Sequence, residues 1–377
     1  MAYTRKASSN QKKQRSKKVQ MKKLSLFGAI CSVLLLTNTS TASSEEYSTY
    51  IYNGLTTTTD TWPSYAALYY DASSYTGVYG QYCGATIIDA NHVATAAHCI
   101  SDGSGGLNEE YLVYTAVLPQ LSNSNQFLSG AVENIRITNV YRHPDYVDSS
   151  SESSVPWPND IAILELEDDM NVSSSDYAVL AESTQADSYR VEDESFIAVG
   201  LGMTESGSYS DQLLYTTLTY VPTDSCDMGA GENQLCMQGA YNASTGVRNS
   251  TCSGDSGGPL YWYDDDLAEY VQVGITSYGW DGCKSSTSSD TSVFTEVADY
   301  SDWIESVLND EITPDLVVTS TMRDSYNTTV EDADDIDVSG DDESDYQANS
   351  GSSGGSTSFG AVFFLLMAAF IRKRSTK

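Results

Sequence analysis

The sequence predicts an all-β protein, and two features support that class. Its 377 residues include 27 Tyr and 27 Gly but only 8 Pro, a composition that favours strands joined by many turns. Apolar runs at residues 85–88 and 161–164 have the pattern of strands, and the second begins directly after a polar turn. The length allows one large domain or two medium ones, either with a sizeable hydrophobic core.

Charge is distributed unevenly along the chain. Residues 1–23 hold nine of the 19 Lys and Arg and residues 372–377 hold four, whereas all 52 Asp and Glu lie between these ends with six basic residues. This excludes a basic nucleic-acid-binding protein and predicts a soluble chain that anionic surfaces repel. Secretion into salty water or halotolerance explains the excess, and recognition of a basic partner is the alternative.

The N-terminal end has the pattern of a signal peptide. A basic run ends at Lys23, an apolar stretch covers residues 24–36, and small residues lead to Ala42. An apolar stretch of this length is short for a membrane span, so we predict a signal peptide over 1–42, cleaved after Ala42. Met21 is a possible true start, and a permanent N-terminal anchor is the alternative.

The C-terminal end carries a second short hydrophobic segment. A Gly/Ser stretch at 351–358 precedes an apolar run at 359–371 and the basic residues 372–374. This arrangement resembles the GlyGly-CTERM sorting tail of exported proteins of Gram-negative bacteria. The resemblance implies transient contact with the inner membrane, removal of the tail by a rhomboid-type protease and export by the type II secretion machinery. A plain membrane anchor over 351–377 is the alternative.

Between this tail and the rest of the chain, the composition indicates a linker. Residues 311–350 contain 12 acidic residues and one basic residue, Arg323, among Ser, Thr and Asn. We therefore predict a solvated acidic linker over these residues.

The cysteines indicate an oxidising compartment. Cys31 lies in the predicted signal peptide, and an even number remains in the exported chain, which suggests three disulfides without fixing their pairing. Because none has the C-x-x-C spacing and the chain has only three His, we expect no metal site. The six cysteines are Cys83, Cys99, Cys226, Cys236, Cys252 and Cys283.

Three short motifs hold the residue types that nucleophilic acyl transfer needs. Ser256 lies in GDSGGP, where glycines let backbone N–H groups converge on an oxyanion. His98 lies in TAAHC, and Asp160 lies in NDIAIL, directly before an apolar strand. An α/β-hydrolase requires a histidine after the serine, yet none follows His143. The order His, Asp, Ser also disfavours a subtilisin, and His92 lacks a comparable motif.

The same three motifs, in this order, resemble the chymotrypsin/trypsin family of serine endopeptidases over residues 51–310. The resemblance implies two six-stranded antiparallel β-barrels, an active site in the cleft between them and a closing helix near 300–308. Ser256 would be the nucleophile, His98 the general base and Asp160 the group that fixes the His98 tautomer, with the N–H groups of Gly254 and Ser256 as the oxyanion hole. The implied disulfides are Cys83–Cys99, Cys226–Cys236 and Cys252–Cys283.

Family zymogens mature by a cleavage that frees a new N-terminus, and the matching residue here is Ile51. Its ammonium would pair with Asp255, which leaves residues 43–50 as a short propeptide. Relatives usually have Arg or Lys before the cut, whereas this chain has Tyr50. A trypsin-like activator should therefore not cut here, and self-activation is our hypothesis.

Substrate choice follows from the residues that match the family's primary pocket. Its base would be Ser250 rather than an Asp, and Gly279 and Ser292 would form its walls. We therefore expect an uncharged P1 residue, aromatic or medium apolar, in preference to Arg or Lys. The backbone of Ser277, Tyr278 and Gly279 would pair with the substrate as an added strand.

We expect a monomeric serine endopeptidase, secreted or held at the surface of a Gram-negative bacterium after passage through the periplasm. Its partners would be protein or peptide substrates, with no nucleic acid. No cofactor is expected, nor a bound metal, because the loop at 119–127, where relatives bind calcium, has no carboxylate. The alternative is a catalytically silent homologue that serves as an extracellular adhesion or binding module.

Overall fold

The computed structural model describes residues 51–148, 155–192, 194–279, 283 and 291–333, with side chains up to residue 326. The predicted signal peptide, propeptide and sorting tail lie outside these residues, as does the linker beyond 333. In chain order the strands are β1 (Leu55–Thr56), β2 (Tyr65–Ala72), β3 (Val78–Ile87), β4 (His92–Thr95), β5 (Thr115–Pro119), β6 (Ile135–Arg142), β7 (Ala162–Leu166), β8 (Val179–Leu180), β9 (Ser195–Gly200), β10 (Leu214–Val221), β11 (Gln234–Gly239), β12 (Tyr241–Asn242), β13 (Val247–Arg248), β14 (Pro259–Asp264), β15 (Glu269–Tyr278), β16 (Ser292–Glu296) and β17 (Leu316–Val317).

Helices are short and lie between or after the strands. The α-helices are α1 (Glu109–Leu112), α2 (Asn125–Ser129), α3 (Ala186–Tyr189), α4 (Ser301–Leu308) and α5 (Ser320–Ala333), and 3-10 turns cover Ala97–Ile100, Ser174–Asp176, Ser183–Gln185, Thr223–Ser225 and Val297–Tyr300. Among the described residues, no helix is both long and apolar enough to cross a membrane.

The strands form two closed antiparallel barrels of six strands each. The first barrel runs β6-β5-β2-β3-β4-β7 and closes by pairing β6 with β7, and β17 extends β6 on its outer side. The second runs β10-β11-β16-β15-β14-β9 and closes by pairing β9 with β10, while β1 and β8 add to β10 and β15. Helix α4 follows the second barrel and buries Ile304 and Val307. This confirms the predicted fold.

Strand β2 shows why several strands are apolar on both faces. Ala66 and Leu68 point into the core of the first barrel, whereas Tyr65, Ala67 and Tyr69 point into an apolar cluster that residues of both barrels build. Since successive side chains of a strand alternate between its faces, one strand supplies both cores. The two barrels are therefore joined by a packed apolar interface.

Three disulfides join Cys83 to Cys99, Cys226 to Cys236 and Cys252 to Cys283. These are the pairs that the family resemblance implies. The first links β3 to the 3-10 turn that carries His98, and the third anchors the segment just before Ser256.

The structure corrects the predicted start of the acidic linker. Leu316 pairs with Val140 in β6, Val318 is buried in the core of the first barrel, and Met322 packs against that core. Arg323 is also buried and forms an ion pair with Glu167. The acidic composition of 311–350 conceals these few apolar residues, so the first part of that stretch belongs to the barrel domain.

Candidate active site

His98 lies at the edge of the first barrel, directly after β4, on the 3-10 turn Ala97–Ile100. Its backbone N–H donates to Asp160 Oδ1 at 2.8 Å, and its ring Nδ1 lies 2.7 Å from Asp160 Oδ2. Because a carboxylate only accepts, Nδ1 carries the proton in this contact. When the ring is neutral, Nε2 therefore has no proton and can accept one.

Asp160 is fully buried and held from three sides. In addition to the two bonds from His98, Ser277 Oγ donates to Asp160 Oδ2 at 2.5 Å, and Thr295 Oγ1 donates to the Asp160 backbone carbonyl at 2.8 Å. Both carboxylate oxygens thus have partners, which fixes the carboxylate and through it the His98 ring.

Ser256 lies on a tight turn between Cys252 and β14. The turn contacts both barrels, because Gly84 N donates to the Ser256 carbonyl at 2.7 Å and Gly257 N donates to the Thr276 carbonyl at 2.8 Å. Gly257 has φ +78°, and a Cβ there would come within 2.5 Å of Gly84 O. Only glycine fits this close approach, which explains the glycine after the serine.

The turn lies beside the segment that precedes His98. A Cβ on Gly257 would be 3.1 Å from Ala96 N and 2.2 Å from Thr95 Oγ1. No hydrogen bond between Ser256 and His98 is formed among the described contacts. Such bonds are often long in a free enzyme and tighten when substrate binds.

Two backbone donors near Ser256 are free. Among the described residues, neither Gly254 N–H nor Ser256 N–H donates to a protein acceptor, whereas the Gly254 carbonyl accepts from Gln81 Nε2 at 3.1 Å. Gly254 has φ +93°, a conformation that favours glycine. Two free N–H groups beside a nucleophile can stabilise a developing oxyanion.

Asp255 points away from this surface into the interior and is 1% exposed. Its carboxylate accepts from Gly202 N and Cys252 N, both at 2.8 Å. Burial raises the pKa of Asp255 to about 7, because desolvation outweighs these two hydrogen bonds. Among the described residues, no cation forms an ion pair with it.

The other half of the predicted activation pair, Ile51, is also buried. It adopts φ +41°, which is unusual for a β-branched residue. In the intact chain its nitrogen belongs to a peptide bond, and no ion pair joins Ile51 to Asp255.

Two of the residues predicted to line the primary pocket, Gly279 and Ser292, lie close together. A Cβ on Gly279 would be 3.7 Å from Ser292 Oγ, so these two residues face each other across a short distance. Ser250 pairs with Tyr52 in an isolated bridge, and its hydroxyl is buried without a hydrogen-bond partner in the part of the chain that the structure describes. Ser277 and Tyr278 end β15 beside Gly279 and are both buried.

Sequence reasoning missed one aromatic contact of the histidine. The ring of Trp157 stacks on the His98 ring, with centroids 4.5 Å apart and planes 11° from parallel, and it meets Tyr278 edge-on at 6.1 Å. Trp157 lies between two prolines three residues before Asp160, which was a usable signal. Cys83 and Cys99 also lie near His98, but their sulfurs form a disulfide and are not thiolates that could bind a metal.

Comparison with known proteins shows which sequences this chain resembles. The family model described as Trypsin matches residues 51–304. The chain is 29% identical over 259 residues to CLIP domain-containing serine protease B4 of Anopheles gambiae, covering 68% of this chain and 69% of that protein. It is 28% identical over 287 residues to chymotrypsin-like elastase family member 1 of Rattus norvegicus, covering 73% and 96% respectively.

A solved structure agrees in fold. The secreted serine protease VesC from Vibrio cholerae matches with a TM-score of 0.51 at 23% identity, over 67% of this chain. The match covers 48% of that protein, so this chain spans about half of its length. With the family match over most of the chain and the barrel architecture in place, we conclude that this protein belongs to the trypsin family of serine proteases.

Proposed function

We propose that this chain is a secreted or surface-exposed endopeptidase that cleaves peptide bonds through an acyl-enzyme formed on Ser256. The observation that carries the proposal is the His98 ring, which Asp160 holds in one tautomer beside the turn that bears Ser256 and two free N–H groups. Family membership adds support, since the family model spans all three residues.

The reaction would begin with attack of Ser256 Oγ on the scissile carbonyl carbon. His98 Nε2 takes the hydroxyl proton, and the buried Asp160 carboxylate stabilises the resulting imidazolium. The N–H groups of Gly254 and Ser256 donate to the oxyanion. His98 then returns the proton to the leaving amine, and water hydrolyses the acyl-enzyme by the same steps.

Export is part of the proposal. We propose that 1–42 directs the chain to the periplasm, that the type II secretion machinery exports a monomer, and that a rhomboid-type protease removes the tail at 351–377. Both segments lie outside the described residues. The three disulfides support an oxidising destination, because reducing compartments rarely allow stable disulfides.

The test is to express the full chain in a Gram-negative host, collect the exported protein, sequence its N-terminus and expose it to a fluorophosphonate probe. We expect rapid labelling of the wild-type protein and none of the Ser256→Ala variant, because the probe reacts only with an activated serine. A correctly exported and processed protein that neither reacts nor cleaves peptides would instead favour the silent binding module.

We further propose a preference for an uncharged P1 residue. Ser250 offers no charge to a substrate Arg or Lys, and a buried cation without an anion is costly. We expect kcat/KM for Phe or Leu at P1 to exceed that for Arg by at least about 10-fold, as measured on peptide anilides that differ only at P1.

The matched control for this preference is Ser250→Asp, which places a carboxylate at the pocket base and should raise the relative rate on Arg substrates. Faster cleavage after Arg than after Phe by the wild-type protein would contradict the proposed preference without affecting the proposed nucleophile.

A further inference from the structure

Gln234 is a buried polar residue for which barrel packing alone gives no reason. It begins β11, is 2% exposed, and all of its side-chain hydrogen-bonding positions have a partner. Nε2 donates to the carbonyls of Pro156 at 3.1 Å and Trp157 at 3.3 Å, while Oε1 accepts from Gly231 N at 2.8 Å. A buried amide with every position satisfied specifies one arrangement of the segments that it joins.

The two carbonyls belong to the loop that carries Trp157, whose indole stacks on the His98 ring. Trp157 adopts φ +43°, which is rare for a residue with a large side chain. The loop therefore needs an external restraint to keep this conformation, and the two hydrogen bonds from Gln234 supply one.

The remaining hydrogen bond of the Gln234 amide, the second one that Oε1 accepts, comes from Tyr278. The Tyr278 hydroxyl lies 3.0 Å from Gln234 Oε1 and 2.7 Å from the Gly229 carbonyl, and it shares its proton between them. Burial raises the pKa of Tyr278, so the hydroxyl stays protonated. Tyr278 directly follows Ser277, whose hydroxyl donates to Asp160. The backbone of Tyr278 is therefore held next to Asp160, and its hydroxyl is held by Gln234.

We propose that Gln234 is a positioning residue that sets the shape of the substrate cleft next to the catalytic base. One amide holds Trp157 against His98 and Tyr278 against Trp157, and so builds a rigid aromatic wall beside the catalytic base, against which an extended peptide can lie. The inference rests on the proposed function and deepens it, because it assigns selectivity for extended peptides over one-residue ligands to a residue outside the catalytic set.

The test compares Gln234→Met with the wild-type protein. Methionine has similar length and fills the space, but it removes the partner that Gln234 gives to the two carbonyls and to Gly231 N, and it leaves the Tyr278 hydroxyl with the Gly229 carbonyl alone. We expect kcat/KM on an uncharged tetrapeptide anilide with Phe at P1 to fall by about 30-fold, mainly through KM, since several hydrogen bonds that order the wall are lost. The rate of reaction with a small fluorophosphonate should stay within about 3-fold, because Ser256, His98 and Asp160 are unchanged.

Gln272→Met is the matched control. Gln272 is another fully buried glutamine of the same barrel, where it donates to Thr86 Oγ1 at 3.0 Å and touches neither Trp157 nor Tyr278 through a hydrogen bond. We expect it to leave the ratio of the tetrapeptide rate to the probe rate unchanged.

A binding measurement separates this inference from the proposed function. In a Ser256→Ala background that is produced with Ile51 as its N-terminus, calorimetry with the tetrapeptide amide should give a Kd about 30-fold weaker with Gln234→Met than without it. This readout needs no catalysis, so it still decides the role of Gln234 if the wild-type protein proves inert to the probe.

Two more variants test the route of the effect. Adding Gln234→Met to Trp157→Ala should lower kcat/KM on the tetrapeptide much less than adding it to the wild-type protein. The effects of two residues that act through each other are not additive. Gln234→Glu keeps the acceptor contacts of Oε1 but replaces the NH₂ group with a carboxyl oxygen that can donate at most one hydrogen bond, and it should weaken tetrapeptide binding as well. The proposal is overturned by equal losses on tetrapeptide and probe, by additive effects, by an unchanged tetrapeptide Kd, or by failure of both Gln234 variants to fold while Gln272→Met folds.

Discussion

Replacing Asp160 with Asn is expected to lower kcat at neutral pH by about 10⁴-fold while the protein stays folded. In the wild-type protein, the Asp160 carboxylate accepts hydrogen bonds from His98 N, His98 Nδ1 and Ser277 Oγ. An amide in its place can offer one acceptor and one NH₂ group. With its oxygen on His98 N, the NH₂ would donate to Nδ1 and force the ring proton onto Nε2, so the ring could no longer accept the Ser256 proton.

Steady-state rates on a peptide anilide measure this effect, and thermal unfolding checks that the variant is folded. Asp187→Asn, an exposed acid on α3, is the control for a change of one charge and should retain full activity. Ser277→Ala removes one donor but leaves the carboxylate and the His98 contact, so its loss should be far smaller. An Asp160→Asn rate above a tenth of the wild-type rate would show that Asp160 does not fix the His98 tautomer.

The residues of the predicted catalytic site could be found from the sequence because their chemistry is encoded locally. Gly257 must be glycine where the Ser256 turn meets Gly84, and the strand after Asp160 is buried and apolar, so the residues around Ser256 and Asp160 form recognisable local patterns. The disulfide pairs, in contrast, came from the family resemblance, because six cysteines alone allow many pairings.

Other features depend on contacts that the sequence does not display. Tyr65 and Leu68 lie in one apolar strand but enter different cores, and no alternation of polar and apolar residues marks which core each one joins. In the acidic stretch after 310, Val318 and Met322 pack on the first barrel, although the average composition indicates a solvated linker. Gln234 and Trp157 are 77 positions apart, so only the fold brings them together.

The buried groups around the Ser256 turn connect fold and function. The proposed mechanism uses the N–H groups of Gly254 and Ser256, and the residue between them, Asp255, points inward in the same turn. A Cβ on Gly202 would come within 2.5 Å of the Asp255 carboxyl carbon, so the pocket for this carboxylate is shaped by glycine. The state of Asp255 should therefore control whether the oxyanion donors are held in place.

Cleavage between Tyr50 and Ile51 is expected to stabilise the protein at neutral pH and to raise its activity. In the intact chain, burial raises the pKa of Asp255 to about 7 from an ordinary value of 3.8, so the folded state holds a proton that the unfolded state has lost. The contribution of Asp255 to the free energy of unfolding of the intact chain should therefore fall as pH rises from about 4 to about 7, by about 4 kcal/mol at most.

After cleavage, the Ile51 ammonium can pair with the Asp255 carboxylate and remove this penalty. The pair should raise the pKa of the ammonium above its ordinary value of about 8. Its stabilising effect is then complete below about pH 8 and is lost as pH rises through the raised pKa, so activity should decline on the alkaline side.

Urea unfolding of the intact Ser256→Ala chain and of the cleaved protein, each from pH 4 to pH 9, measures these opposite slopes. Asp255→Asn should remove the Asp255 contribution to this slope between pH 4 and 7, whereas the contributions of other groups, such as Asp299 with its raised pKa and His143 with its lowered pKa, remain. In the cleaved protein the same change leaves a buried ammonium without its anion, and we expect activity to fall by about 10² to 10³-fold.

The self-activation hypothesis makes one further prediction: the intact Ser256→Ala chain, when it is made alone, is not cut after Tyr50. Equal activity of cleaved Asp255→Asn and cleaved wild-type protein would mean that the oxyanion donors are positioned without this pair, since the turn would then hold its shape through its contacts with Gly84 and Thr276 alone.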